Sequence, residues 1–256
     1  VISCKSRYSR DMFDNPFSRK SALINIMSAA CTLGSRQLIR DFNELSFLKA
    51  NRRIDEFVGN AQERTLEIIK TELLRSNKDH GIFAHNKLIK ESKTGIFWAV
   101  NTIDSIENFT HRLPFFGTCI ALLDNIETAT KMHNCNIIAG MFFDPIRDEA
   151  FFAEQKNGTF LNNKKLILAN QSKTQTMKLN QKNETELCPN FIAGIDKKAN
   201  RNFGSSAMHM AYVAAGRIDS TQEKIDDIAN ICTGKLLVLE AKGTIHEEKN
   251  IITAAG

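Results

Sequence analysis

No stretch of this chain approaches the ~18 consecutive apolar residues that a membrane-spanning helix needs, so no membrane span is expected. Residues 1–20 are basic but lack the apolar core of a secretory signal, and they read as an N-terminal extension. The six cysteines (Cys4, Cys31, Cys119, Cys135, Cys188 and Cys232) form no CxxC pair and have no histidine at zinc-finger spacing. That pattern argues against a disulfide framework or a zinc ribbon, and suits reduced, structural thiols in a cytoplasm. Charge of one sign is also scarce in excess: 34 Lys and Arg against 29 Asp and Glu leave a net +5. This mild balance is not that of a dedicated nucleic-acid binder. Internal repeats and low-complexity tracts are absent. What remains, at 42% hydrophobic and 25% charged residues over 256 positions, is an ordinary globular composition. A chain of this length buries roughly 70–75% of its unfolded surface without staples.

Residues 21–42 carry apolar side chains at helical spacing (Leu23, Ile24, Met27, Ala30, Leu33, Leu38, Ile39), and residues 61–74 repeat the pattern with Leu66, Ile68, Ile69 and Leu73. Short β-rich runs follow at 81–84, 96–100, 116–123, 136–143 and 149–154, with a hairpin signal at Asn157-Gly158. Residues 171–189 are polar and read as a loop or domain seam, dividing a first half, 21–170, from a second, 171–256. The second half predicts a strand at 191–195, a helix from Gly204-Ser205-Ser206 to Ala215, a helix over 225–240 and a last strand at 250–253. The amides at Gly204, Ser205 and Ser206 would form an anion site at a helix start. Helices and strands interleave without the strict alternation of a doubly wound sheet, so the fold class is layered α/β (α+β).

The densest chemistry lies in Trp98-Ala-Val-Asn-Thr-Ile-Asp-Ser-Ile-Glu-Asn-Phe109, followed by Thr110-His-Arg-Leu-Pro-Phe-Phe116. This is a strand running into a polar turn, with the carboxylate of Asp104 at its end. Strand ends are where α/β folds bind ligands. A capped turn with no ligand is the alternative.

This segment resembles the signature of the inositol monophosphatase superfamily, and within it the bacterial SuhB-like branch. That signature runs Trp-x-[Ile/Val]-Asp-Pro-[Ile/Leu]-Asp-Gly-Thr-x-Asn-Phe. The chain keeps Trp98, Val100, Ile103, Asp104, Asn108 and Phe109, then Arg112-Leu113-Pro114-Phe115. Further matches follow in family order: Asp144-Pro145 to Phe152, Asn157-Gly158 to Asn162, Arg201 to Ala207, Ala211 to Asp219, and Gly234 to Gly243. The resemblance covers residues 21–256 and implies the family's alternating helix and sheet layers. It also implies one more helix after the last strand, which this chain does not carry. The family reaction is hydrolysis of a phosphate monoester, such as inositol monophosphate, assisted by Mg²⁺ ions held on carboxylates.

Placed on this chain, the resemblance puts His85 where a metal-binding Glu stands and Asn101 where the first signature Asp stands. Asp104 is retained, and Ile103 still offers its backbone carbonyl. Ser105-Ile106 replaces the Gly-Thr that contacts phosphate and orients water, and Gln62 replaces the Asp that partners that Thr. The last metal position falls on Asn230 by ungapped counting, or on Asp227 after a three-residue slip, and Asp226 or Asp227 is a candidate to rescue a metal site. Glu223 falls where relatives contact the sugar alcohol, unless it is simply an exposed surface acid. One side-chain carboxylate therefore remains at four metal positions. Each lost charge is worth roughly 4 kcal/mol at about 4 Å and an effective dielectric of about 20. Discounted to ~1–2 kcal/mol per ligand, three losses weaken Mg²⁺ binding roughly thousand-fold.

Two function classes follow. One is a weakened Mg²⁺-dependent phosphatase; the other is a non-catalytic SuhB-like factor with RNA polymerase or Nus-type partners. A remnant without a role is a third possibility. The resemblance also implies a homodimer. Outside the signature, His209 reads as a partly buried histidine, Trp98 as a core anchor and Cys232 as a packing residue, with His111 and Arg112 near the cleft mouth.

Overall fold

The structure, a computed structural model, describes residues 20–47, 51–124, 136–168, 176–180, 198–248 and 250–256. Helix α1 (Ala22–Glu44) starts at Ser21, whose hydroxyl accepts the Ile24 amide at 3.1 Å. Ile24, Met27, Cys31, Gly34 and Leu38 recur at three- to four-residue steps and form its buried stripe. Helix α2 (Asn51–Ser76) begins ten residues before the predicted 61–74 segment. Ile54, Phe57, Val58 and Ala61 extend the same apolar period, and it overrides the weak helix formers Gly59 and Asn60.

The next strands build one sheet. They are β1 (Gly81–Ala84), β2 (Lys87–Lys90), β3 (Ile96–Asp104), β4 (Gly117–Asp124), β5 (Asn136–Asp144), β6 (Glu149–Glu154), β7 (Gly158–Leu161) and β8 (Lys164–Leu166), with the short helix α3 (Ile106–Thr110) between β3 and β4. The order across the sheet is β2-β1-β3-β4-β5-β6-β7-β8, and only the β1–β3 pair is parallel. The second sheet contains β9 (Thr176–Asn180), β10 (Lys198–Arg201), β11 (Ser220–Lys224), β12 (Thr244–Glu248) and β13 (Ile251–Ala255), in the order β10-β9-β11-β13-β12. Between the sheets run α4 (Ser206–Ala214) and α5 (Ile228–Glu240).

Strand periodicity assigns the layers. Trp98, Val100, Ile120, Leu122, Met141 and Phe152 pack on α1 and α2, while their neighbours Ala99, Cys119, Ala121, Phe142, Phe151 and Ala153 pack on α4 and α5. On the far side of α4 and α5 lie Ile252 and Ala254 of β13. The helices are therefore covered on two faces, which explains why eight of the nine α4 residues are buried. The result is helix, sheet, helix, sheet: the layered architecture that the sequence predicts. Trp98 and Cys232 are buried in these cores as packing residues.

Three predicted elements need comment. The polar stretch 171–189 contains β9, built on the alternating Thr-Met-Lys-Leu-Asn pattern, which the composition of its surroundings conceals. The strand predicted at 191–195 lies outside the described residues. Helix α5 starts at Ile228 rather than residue 225, because Asp227 caps it by accepting the Asn230 amide at 3.0 Å.

At the far end of α5, Glu240 accepts the amides of Lys156 at 2.8 Å and Gly158 at 2.9 Å, and so pins the β6–β7 turn to the helix. Glu240→Ala leaves both amides without that partner. We expect a loss of about 1–2 kcal/mol, read as a fall of roughly 3–6 °C in the unfolding midpoint. An unchanged midpoint would show that water replaces the carboxylate at no cost.

Candidate functional site

Strand β3 carries an irregularity that sets the site. Asn101 pairs with Cys119 and Asp104 with Gly117, so three steps on β3 match two on β4. The extra residue is a bulge, and it reverses the in-out parity of the strand end. Val100 and Ile103 thus both face α1 and α2, and Asn101 and Asp104 both face α4 and α5. A regular strand would have turned Asp104 away from Asn101.

Asp104 is 3% exposed and meets the start of α4. Its Oδ2 accepts the Ser205 hydroxyl and, at 3.0 Å, the Ala207 amide. Its Oδ1 accepts Nδ2 of Asn230 at 2.7 Å. Asn230 in turn accepts Nδ2 of Asn101 on its Oδ1 at 3.1 Å, and Asn101 accepts the Ile103 amide at 3.2 Å. The start of α4 thus receives the protein's own Asp104, through the Ser205 hydroxyl and the Ala207 amide, while the Gly204 amide donates to Oδ1 of Asn202. Burial pushes the Asp104 carboxyl up to about 7; the Ser205 and Ala207 bonds oppose that rise and the nearby Asp227 adds to it.

Around this network opens a cleft of about 590 Å³. Gln62 and Glu63 reach it from α2, His85 and Asn86 from the β1–β2 turn, Ser105, Ile106 and Glu107 from the start of α3, and Asp226 and Asp227 from the approach to α5. Gly59, Gly204, Ser206, Asn101, Ile103, Asp104 and Asn230 complete the lining. Ile106 is 44% exposed and puts an alkyl group at the mouth. His85 sits in the left-handed region at φ 50°, with Nε2 3.5 Å from the Thr102 hydroxyl, and burial lowers its pKa. Burial also pushes Asp227 up to about 6, with Asp226 beside it adding to the rise.

Five carboxylates line the cleft (Glu63, Asp104, Glu107, Asp226 and Asp227) and no Lys or Arg does. Hard oxygen donors are thus present, but among the described residues they do not converge into a Mg²⁺ shell. Among the described residues, no three His, Cys, Asp or Glu side chains gather into a group able to hold a metal ion. At the centre, the amide N–H of Asn230 points at the oxygen a cation would need.

The site thus brings together His85, Asn101, Ile103, Asp104, Ser105, Ile106, Gln62, Gly204, Ser206 and Asn230, with Ser205 buried against Asp104. Of the two candidates for the last metal position, Asn230 meets Asp104, while Asp227 caps α5 and also lines the cleft. Glu223 is a correction. It is neither at the cleft nor on the surface but 1% exposed behind α4. Its Oε1 accepts the Thr221 hydroxyl and lies 2.8 Å from Nδ1 of His209. The Phe203 amide donates to His209 Nε2 at 2.9 Å, so the imidazole proton is assigned to Nδ1 and points at Glu223. Alternation along β11 buries Thr221 and Glu223 together, a signal present in the sequence. His209 is buried outright, and His111 and Arg112 are exposed and do not line the cleft. The sequence reading missed Asn86, which donates to the Asp226 carbonyl at 2.6 Å and accepts the Ile228 amide at 3.3 Å. The left-handed pair His85-Asn86, typical of a tight turn, is the cue that would have found it.

Alternating helix and sheet layers, with a cleft where β3 ends against the starts of α4 and α5, make this a layered α/β protein with a strand-end cleft. Residues 20–249 match the inositol monophosphatase family, and the chain belongs to it. It is 28% identical over 240 residues to an inositol-1-monophosphatase of Mesorhizobium japonicum, covering 89% of this chain and 86% of that protein. It is equally 28% identical, over 236 residues, to Nus factor SuhB of Xylella fastidiosa, covering 88% of this chain and 82% of that protein. The crystal structure of extragenic suppressor protein SuhB from Bartonella henselae matches with a TM-score of 0.71 at 26% identity, over 93% of this chain and 94% of that one. Among the described residues, no helix is long and apolar enough to cross a membrane.

Proposed function

We propose that this SuhB-like member of the inositol monophosphatase family has lost, or nearly lost, Mg²⁺-dependent hydrolysis of inositol monophosphate and related monoesters, and acts by binding. The observation that carries this reading is the state of Asp104. It is the one carboxylate kept at the four metal positions of the family, and protein donors take both its oxygens. A phosphate dianion entering the cleft meets four further acids and no Lys or Arg. Ile106 has no hydroxyl with which to orient a water, and Gln62 no charge with which to polarise one.

The test is steady-state hydrolysis of inositol 1-phosphate by the full chain at millimolar Mg²⁺, beside a catalytically competent family member. The expected rate is indistinguishable from the uncatalysed background. Turnover within about a hundred-fold of the competent relative would overturn the reading.

The binding role we propose is that of the Nus factor SuhB relatives, with RNA polymerase or Nus-type factors as partners. Near-full-length similarity to those relatives supports it. Retention of polymerase subunits or Nus-type factors by the immobilised chain is expected, and no retention at low and physiological salt would remove this part of the proposal. A homodimer in the cytoplasm completes the reading by family resemblance. The buried thiols of Cys31 and Cys119 are compatible with a reducing compartment.

A further inference from the structure

The replacements at the metal positions form a connected chain of hydrogen bonds with one direction. It begins at the Ile103 amide, a donor fixed by the backbone. That N–H fills Oδ1 of Asn101, so Nδ2 of Asn101 must point the other way, to Oδ1 of Asn230. Nδ2 of Asn230 is then turned onto Oδ1 of Asp104. From the opposite side, Ser205 and Ala207 donate to Oδ2. Both sides of the chain terminate on the Asp104 carboxyl group. Asn101, Asn230 and Asp104 are 8%, 4% and 3% exposed, so water does not compete well for any link.

We infer that Asn101, Asn230, Asp104 and Ser205 form a hydrogen-bonded strut that ties β3 to the starts of α4 and α5 and makes this fold independent of divalent cations. The inference rests on the reading that the cleft is not a metal site, but it concerns stability, and turnover does not enter its test. It explains why the two amides occur together and why Asp104 alone has kept its charge. An amide at 101 needs an acceptor at 230, the amide at 230 then presents a donor, and that donor needs an acid at 104. A carboxylate at 101 or 230 reverses one link and sets two acceptors face to face. In a buried site such a mismatch costs more than the loss of a single bond.

The experiment is thermal unfolding of the full chain at neutral pH in EDTA and in millimolar Mg²⁺ or Mn²⁺, with three substitutions beside it. The unmodified chain is expected to unfold at one temperature, within about 1 °C, in all three solutions. Asn230→Asp in EDTA is expected to unfold roughly 5 °C or more lower. Asn101→Ala, Asn230→Ala and their double variant keep the proposal testable should Asn230→Asp fail to fold. If the two amides act as one strut, the double variant loses little more than the larger single loss. The inference is overturned by a rise of several degrees with Mg²⁺ in the unmodified chain, by Asn230→Asp as stable as the parent in EDTA, or by alanine losses that simply add.

Discussion

Asp104→Leu, measured at pH 6, lowers the unfolding midpoint of this protein by roughly 6–12 °C. The change is close to isosteric and adds apolar surface, so a site whose acid served only to repel other acids would gain stability. Here the acid is the acceptor for the Ser205 hydroxyl, the Ala207 amide and Nδ2 of Asn230, all buried. Leaving a buried donor without a partner costs about 1–3 kcal/mol. Three such losses, offset by relief of the buried carboxyl and by new apolar contact, leave a net of roughly 3 kcal/mol, and in a chain of this size each kcal/mol is worth about 2–4 °C. Asp104→Asn is expected to fall between the parent and the leucine variant, since its one carbonyl accepts two donors while its NH₂ faces the third. A midpoint that stays level or rises in the leucine variant would mean that Asp104 is a surviving metal ligand held in a frame indifferent to it.

The layers were legible in the sequence because the signals are plain: Ile24, Met27 and Cys31 at helical spacing on α1, and short continuous apolar runs at β4 and β6, covered on both faces. The identity of the cleft residues was legible for a different reason, namely that the family motif fixes which positions share a site. Their roles were not. Asn101 and Asn230 read in sequence as charges subtracted from a metal centre, whereas in space Asn101 donates to Asn230 and Asn230 donates to Asp104. Nothing in a linear string reveals that relay, because it depends on a bulge of one residue in β3 that turns Asn101 and Asp104 to the same side. Glu223 shows the opposite failure. Carried over by position, it belonged to a pocket, but its partners in this chain, Thr221 and His209, hold it in the core. A motif transfers positions faithfully, and it transfers side-chain directions only where the neighbours have also been kept.

Stability is expected to fall as pH rises from about 5 to about 8. Asp104 in the folded protein is pushed up to about 7, first by burial, and Asp227 to about 6, again first by burial. In the unfolded chain both titrate near 3.9. Between roughly pH 4 and pH 7 the folded state therefore holds protons that the unfolded state has released. Folding takes up protons in that window, and the free energy of unfolding declines with rising pH. Below about pH 4 both states are protonated and these two groups cease to contribute a slope. A rise of about three pH units at Asp104 corresponds to roughly 4 kcal/mol, and the more accessible Asp227 adds less, so a fall of several degrees in the midpoint between pH 5 and pH 8 is expected. The two effects at Asp104 are coupled. Ionised, its oxygens accept all three donors; protonated, the carboxyl itself carries a donor and its contact with the Ser205 hydroxyl must reverse, while the cost of burying it falls. The loss caused by Asp104→Leu should then be largest near pH 5 and shrink towards pH 8, and most of the pH slope should vanish in that variant. A parent midpoint that is flat or rising from pH 5 to pH 8, or a variant that keeps the parent's slope, would show that the acid at the end of β3 is not the group that sets the pH response.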